Sequence, residues 1–549
     1  MPSDAQGRPP RQVRPAVRRP GWYGCEQVVA WLLRVNRLYG GDEKLTSLKR
    51  FTAAFQGGSW PDPVSASQVS RWETAAARAG FNVVRRYEEM LGLPYGRLVA
   101  VADWAYRKAS DTAGPPVLHR GLDPADPHVH DRTHELLDQA LSAGVMTGME
   151  WDELTSHLAA LPTAFLHPRA AWADLAERLL AELLISDGPA WLFRTEALAR
   201  LLGHPRAGPP IIAACAALAS DPANQIVIEP LTILDLTADR DANRHVLLQL
   251  AHPVSDRSLR GALLSAVEKI PRRHFRAVQL RSLAATAAEL AAVAELHSEV
   301  RHLAANLLHQ LPASQLGPGF ERLRRAADPT TRDVLSYGQT ASADAAGRVV
   351  TRIATAAAMR MPRQPIAGPD PMLSHLLTEL LFSPNQNDRL LAGFVIAATP
   401  YRDGVGAALA TELAAAPAAR TVPLTTALIA AMPHVGRSAD RPTVEWFVTA
   451  PGLPAPITDT AAWMIGHVPG RSDRTFWSTA IGTHARAWQA TRNPGAISAL
   501  RGLTYSLGIG GHDDLLDAIR ADARVPAATR AAARWWLNIP ARVHASAVR

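Results

Sequence analysis

SDRSLRGALLSAV, residues 255–267, is the stretch that decides how most of this chain is read. It opens on a capping serine, and from Leu259 apolar residues recur at Ala262, Leu263 and Ala266, the three-and-four spacing of one helix face. The same design returns in SEVRHLAANLL (298–308), NDRLLAGFVIA (387–397) and TDTAAWMIGHV (458–468), and three of the four place an arginine in the first turn: Arg257, Arg301 and Arg389. From Arg132 to the C-terminus the chain is a succession of 12–18-residue amphipathic segments, broken at HPRAGPP (204–210), SDPAN (220–224), AHPVSD (251–256) and PNQND (384–388). Strand signals are few. Ile226–Leu236 is the one β-branched run that competes, and it reads equally well as a buried helix. The pattern predicts an all-α body of helical hairpins packed in series.

The capped, arginine-bearing segments resemble the HEAT-type helical repeats, in which such a pattern marks the inner helix of each pair. The resemblance covers about 400 residues, at irregular intervals of about 40 to 90. It implies a solenoid-like body with a concave surface for a peptide or protein partner; an irregular all-α domain is the alternative.

At 549 residues, of which 47% are apolar and 20% charged, the chain is long enough for two to four units and too apolar for wholesale disorder. Its cysteines, Cys25 and Cys215, lie far apart and form no CxxC, so a cysteine-built zinc site is not expected and a reduced cytosolic home fits. The longest uncharged apolar run, Thr421–Gly436, carries two prolines and a histidine, so no membrane span is expected. The five arginines of residues 1–20 are not followed by an apolar segment, which argues against a secretory signal. Charge is unevenly placed: residues 1–110 hold 17 Lys/Arg and 9 Asp/Glu, whereas residues 111–549 hold 41 of each. A basic head on a neutral body suggests a polyanion-binding segment with something else behind it. Arginine outnumbers lysine 54 to 4 along the whole chain, which reflects coding bias and carries no recognition signal.

Four parts are expected: a disordered basic tail (1–21), a small helical domain (22–110), a Pro/Asp-rich linker (111–131) and the helical body (132–549), with a point of subdivision near 363–371. In the small domain, Val28, Trp31, Leu32, Val35 and Leu38 define a first helix. A second, capped by Asp42, carries Leu45, Leu48, Phe51 and Phe55. After the glycine- and proline-rich break comes PVSASQVSRWE, Pro63–Glu73. Ser65 is a good N-cap with Gln68 in the capping-box position, Val69 and Trp72 share an apolar face with Val64 behind them, and the other face holds small or polar groups. A short helix of that make in a basic segment suits major-groove reading: hydroxyls can donate to phosphates, Gln to a base edge, and Arg to guanine or phosphate.

SASQVSRWE resembles the recognition helix of the lambda-repressor-like (Xre/Cro-type) helix-turn-helix family, and VVRRYEEMLGLP (83–94) is similar to that family's closing helix and its Leu-Gly-Val-Pro end. The match spans about residues 24–108, and it implies that Ser65, Ser67, Gln68, Ser70 and Arg71 face DNA while Val69 and Trp72 pack. Two features depart from the family: Gly57–Pro63 replaces a tight turn, and Thr74-Ala75-Ala76 stands where a glycine is usual. Arg85 and Arg86 can reach phosphates or lie on a solvated face, and Arg8, Arg11, Arg14, Arg18 and Arg19 can form a minor-groove arm or an idle one.

Catalytic motifs do not assemble. His128-x-His130 with His134-Glu135 is the nearest approach to a metal site, but it matches no complete hydrolase pattern. The chain also has no phosphate loop, no GxGxxG after a strand and no GxSxG. Trp535-Trp536 suits a core-sealing terminal helix. The sequence therefore points to a cytoplasmic, nucleoid-associated bacterial transcriptional regulator, not an enzyme, with no cofactor and no metal. Its expected partners are double-stranded DNA and a second copy of itself on a pseudo-palindrome, with the helical-repeat body acting as sensor or partner-binding region. A scaffold or adaptor whose head docks protein is the alternative.

Overall fold

The computed structural model describes residues 23–110, 118, 120–361, 370–415 and 422–547, apart from residues 162, 165, 169, 223 and 227. Among these the chain is all-α, with 29 α-helices, four short 3-10 helices and no strand. No helix among them is long and apolar enough to cross a membrane. The basic tail and residues 363–369 of the expected subdivision lie outside the described residues.

Local chemistry explains most boundaries. Ser255 accepts from the Ser258 amide and starts the helix Asp256–Lys269, and Asn385 accepts from the Asn387 amide and starts Gln386–Ala397. The segment read from Thr458 instead begins earlier, as the helix Ala455–Met464 behind Pro454, because prolines in a first turn cost no hydrogen bond. Ile226–Leu236 resolves as the helix Ile228–Ile233 and a 3-10 turn to Leu236; Leu231, Ile233 and Leu234 are buried, and burial outweighs their strand preference.

Successive helices pair as hairpins, and the second members of the hairpins pack on one another in rows. One row runs through 188–203, 228–233, 256–269, 298–310 and 329–337, and the other through 386–397, 422–435, 455–464, 494–509 and 527–537. The rows face each other across an interior, because Glu299 of the first pairs with Arg389 of the second, and Arg257 of the first lies over Trp463 of the second. The C-terminus returns to the start of the body. The helix Ala541–Ala547 packs on Ala171–Leu184, and the Ser546 carbonyl accepts from Arg194 at 2.6 Å. Trp536 is fully buried, as a core-sealing residue should be, although one further helix follows it.

The N-terminal unit comprises α1 (Cys25–Tyr39), a 3-10 turn (Glu43–Thr46), α2 (Leu48–Phe55), α3 (Ala66–Glu73), α4 (Phe81–Met90) and α5 (Arg97–Lys108). The single helix expected after Asp42 is thus split, and the chain leaves the first turn at Ser47 before α2 begins. This unit is seated in the body. Trp31 of α1 donates to Asp370 at 2.8 Å and stacks on Tyr401, and Asn36 donates to the Ala398 carbonyl. On α5, Trp104 meets Trp191 and Phe394, Arg107 pairs with Glu196, and the Lys108 ammonium lies 2.6 Å from Glu268 and 2.9 Å from Asp388. The α5 helix therefore touches both rows at once.

The 111–131 stretch differs from an exposed tether over its described part; residues 111–117 and 119 lie outside it. Leu118 is buried, its amide donates to Asp103, and Arg120 joins Asp103 and Asp152 while covering the ring of Phe81. Pro127–Asp131 is the first turn of the helix Pro127–Leu141, capped by Asp126. A buried carboxylate on α5 needs a partner, and this segment supplies it. His128, His130 and His134 are exposed on that helix, and no metal-competent cluster occurs among the described residues.

Candidate nucleic-acid interface

The α3 helix starts where its sequence predicts. Ser65 accepts from the Gln68 amide at 3.1 Å, and the helix runs from Ala66 to Glu73. Val69, Trp72 and Glu73 are buried and Val64 backs them. Ser65, Ser67, Gln68 and Arg71 are exposed, and Ser70 is half-buried with its carbonyl accepting from Thr74. Ser67 and Arg71 stand one turn apart and share the outward face; Gln68 and Ser70 flank it on either side. All five expected residues thus lie within about two helical turns, Ser65 as the N-cap and Ser70 nearest the core.

The insertion before α3 is ordered by its own residues. Gly57 and Trp60 exchange both backbone hydrogen bonds, at 2.7 and 2.9 Å, closing the loop on itself. The Trp60 ring then packs edge-on against Phe55 of α2 and Trp72 of α3, so the loop acts as an aromatic spacer between the two helices. Gly58 has φ +54°, a conformation that side-chain-bearing residues rarely adopt, and a Cβ there would also crowd the ends of Arg86 and Glu89, so glycine suits the position. Arg86 accounts for that crowding. It donates to the carbonyls of Phe55 and Ala54 at the end of α2 and pairs with Glu89, which accepts from the Ser59 amide. Arg85 lies 3.6 Å from the ring centroid of Tyr95. Both arginines are therefore committed to holding the unit together, in place of the phosphate contact or solvated face that their sequence allows.

A buried ion pair fixes the angle of α3. Glu73 receives two hydrogen bonds from Arg37 of α1, at 2.6 and 2.7 Å, and a third from the Tyr87 phenol of α4 at 2.9 Å. Arg37 also donates to the Thr46 carbonyl just ahead of α2. Burial works against the Arg37 charge, but the Glu73 carboxylate more than offsets it and raises the pKa; burial and Glu73 together push the Tyr87 phenol well above its ordinary 10. One carboxylate thus ties α3 to α1, α4 and the lead-in to α2. Sequence reasoning missed it, although Glu73 stands four residues after Val69 and so on the same face.

A second buried carboxylate, Glu88, accepts from the amides of Gly96, Leu98 and Val99 and caps α5; burial raises its pKa, and these hydrogen bonds pull the other way. The Leu91-Gly92-Leu93-Pro94 end of α4 closes as its sequence suggests: Gly92 takes φ +61° and the Leu93 amide returns to the Glu88 carbonyl. Exposed cations of this unit include Lys44, Lys49 and Arg50 of the segment leading into and through α2, and Arg71 of α3. No family model, no curated protein and no solved structure matches the chain.

Proposed function

We propose that α2 and α3 form a helix-turn-helix pair and that the chain is a sequence-specific DNA-binding transcriptional regulator. The observation that carries this reading is the division of α3: Val69, Trp72 and Glu73 lock the helix to its neighbours, while Ser67, Gln68 and Arg71 stand free on an outward face. A recognition helix needs that combination, because discrimination between bases fails if the reading helix can tilt. Lys49 and Arg50 are exposed on α2, which packs on α3, and in this reading supply positive charge for phosphates.

One such head reads only a few base pairs, so a homodimer on a pseudo-palindromic operator is the working arrangement. The two rows of the body are irregular HEAT-like repeats in this reading, and they serve as sensor or partner-binding region. Because α1 and α5 are seated in that body, it sets the position of the head. The test is selection of bound duplexes from a random pool by the full-length protein. Enrichment of a shared inverted repeat is expected. A pool recovered without any motif, with binding that depends on salt alone, would leave a non-specific polyanion binder and end the proposal.

A further inference from the structure

The interior between the two rows holds a closed circuit of charged and aromatic side chains that DNA reading does not use. Asp187, which caps the helix Gly188–Gly203, lies 2.9 Å from Nδ1 of His467, and Nε2 of His467 lies 3.0 Å from the Tyr505 hydroxyl. The Arg257 guanidinium sits 3.8 Å from the Trp463 ring centroid and 5.9 Å from that of Tyr505. Arg260, one turn along, pairs with Glu299, which also accepts from Arg389 at 3.3 Å. His434 packs on Phe394 and lies within electrostatic reach of Arg389, Asp187 and His467, which closes the circuit.

Part of this interior is open to solvent. The side chains of Asp187 and Glu299 keep 55% and 36% of their exposure, while desolvation brings the pKa of the half-buried His434 down to about 4. Most of its charges are matched within the circuit: Asp187 has His467, and Glu299 has two arginines. Arg257 is different. Among the described residues it forms no ion pair; it donates to the Gln225 carbonyl, and its charged neighbours are Arg260, Arg501 and the unpaired Glu229. Burial, followed by Arg260, brings its pKa down to about 10, so the cation lacks its full share of solvation or counter-charge.

A guanidinium held over an indole keeps N–H groups beyond the one given to the Gln225 carbonyl, and such a fork matches the two oxygens of a carboxylate or phosphate. The rings of Trp463 and Tyr505 beside it offer an apolar surface of ring size. We propose that this interior binds a small organic anion, its carboxylate or phosphate on Arg257 and its apolar body against Trp463 and Tyr505. The proposal does not rest on the DNA-binding reading. Phe394, against which His434 packs, also touches Trp104 of α5, so the far end of the circuit reaches the helix that anchors the head.

Isothermal titration calorimetry of the full-length protein with phenyl phosphate, benzoate, inorganic phosphate and neutral benzyl alcohol tests this. Saturable one-site binding of an aromatic anion is expected, with no binding of benzyl alcohol. Preference for phenyl phosphate or for benzoate tells which anionic group the site takes. Arg257→Met should weaken that binding at least about tenfold, the cost of a lost charge-assisted contact; its melting temperature, measured alongside, reports separately on the lost Gln225 hydrogen bond and the counter-charge of Glu229. Arg257→Lys, which keeps the charge but not the planar fork, should weaken it too and serves if the Met variant folds poorly. Trp463→Leu should weaken the aromatic anions and spare inorganic phosphate. Absence of saturable binding by all three anions, equal binding of benzyl alcohol, or unchanged affinity in the folded Arg257 variants would overturn the proposal.

Discussion

Arg71, Trp72 and Glu73 are consecutive and do three different things. Arg71 points out, Trp72 fills the space between Phe55 and Trp60, and Glu73 turns inward to Arg37 and Tyr87. Their substitutions should therefore separate cleanly. Arg71→Ala is expected to weaken binding to the selected operator by about 1–3 kcal/mol with no change in urea midpoint. Trp72→Ala opens a cavity and should cost about 3–5 kcal/mol of stability in the same urea titration. Equal destabilisation by both, with no selective loss of DNA affinity, would show that the two faces have been assigned wrongly. Glu73→Gln strips Arg37 of its counter-charge inside the protein and should destabilise by about 3–5 kcal/mol, because a buried charge left alone costs more than the pair contributed.

At the scale of the element, α5 is the join between the N-terminal unit and both rows of the body. Its start is crowded: Gly96 has φ +77°, and a Cβ there would lie 2.2 Å from Phe193 of the body. Its end is charged. Burial disfavours the Glu268 carboxylate, but Lys108 and Arg272 outweigh that and bring its pKa down to about 2 from an ordinary 4.5. The sign follows from linkage: the unfolded chain takes up this proton first as pH falls, so the stabilisation is complete above about 4.5 and is lost on the way to about 2. Wild-type protein should thus lose stability between pH 5 and 3 more steeply than Glu268→Gln, as read from melting temperatures across that range. Parallel pH profiles for the two proteins would show that the carboxylate makes no such contribution. Lys108→Met should weaken the same join at neutral pH, since Glu268 and Asp388 both lose their shared cation.

For the whole molecule, these contacts predict that the N-terminal unit and the body behave as one piece. Trp31, Asn36, Arg97, Arg107 and Lys108 all reach body residues, and Leu118 and Arg120 are held by Asp103. A protease that cuts anywhere in residues 111–117 should therefore leave two fragments that still co-elute on gel filtration. A small basic fragment eluting by itself in native buffer would mean that the seating is too weak to hold. DNA binding in the nicked protein should persist, because α3 and its supports all lie on the N-terminal side of the cut.

Much of this molecule was legible in one dimension. Helical periodicity, capping residues and proline breaks located the helices, and the polar and apolar faces of α3 followed from spacing alone, because both signals depend on residues within a turn or two of each other. The carboxylate that orients α3, the second role of Arg86, the docking of Leu118 and Arg120 and the interior circuit around Arg257 were not legible. Each joins groups distant in sequence: Arg37 meets Glu73, Lys108 meets Asp388, and Arg257 meets Trp463. Arg257 and Arg389 could be picked out in the sequence as repeated first-turn arginines, and the spacing of the helices that carry them could be measured. That the two face one interior, while Arg301 pairs with Asp328, was decided only when the rows closed on each other. A local pattern fixes which way a side chain leaves its own helix, and only the packing of distant helices determines what it meets there.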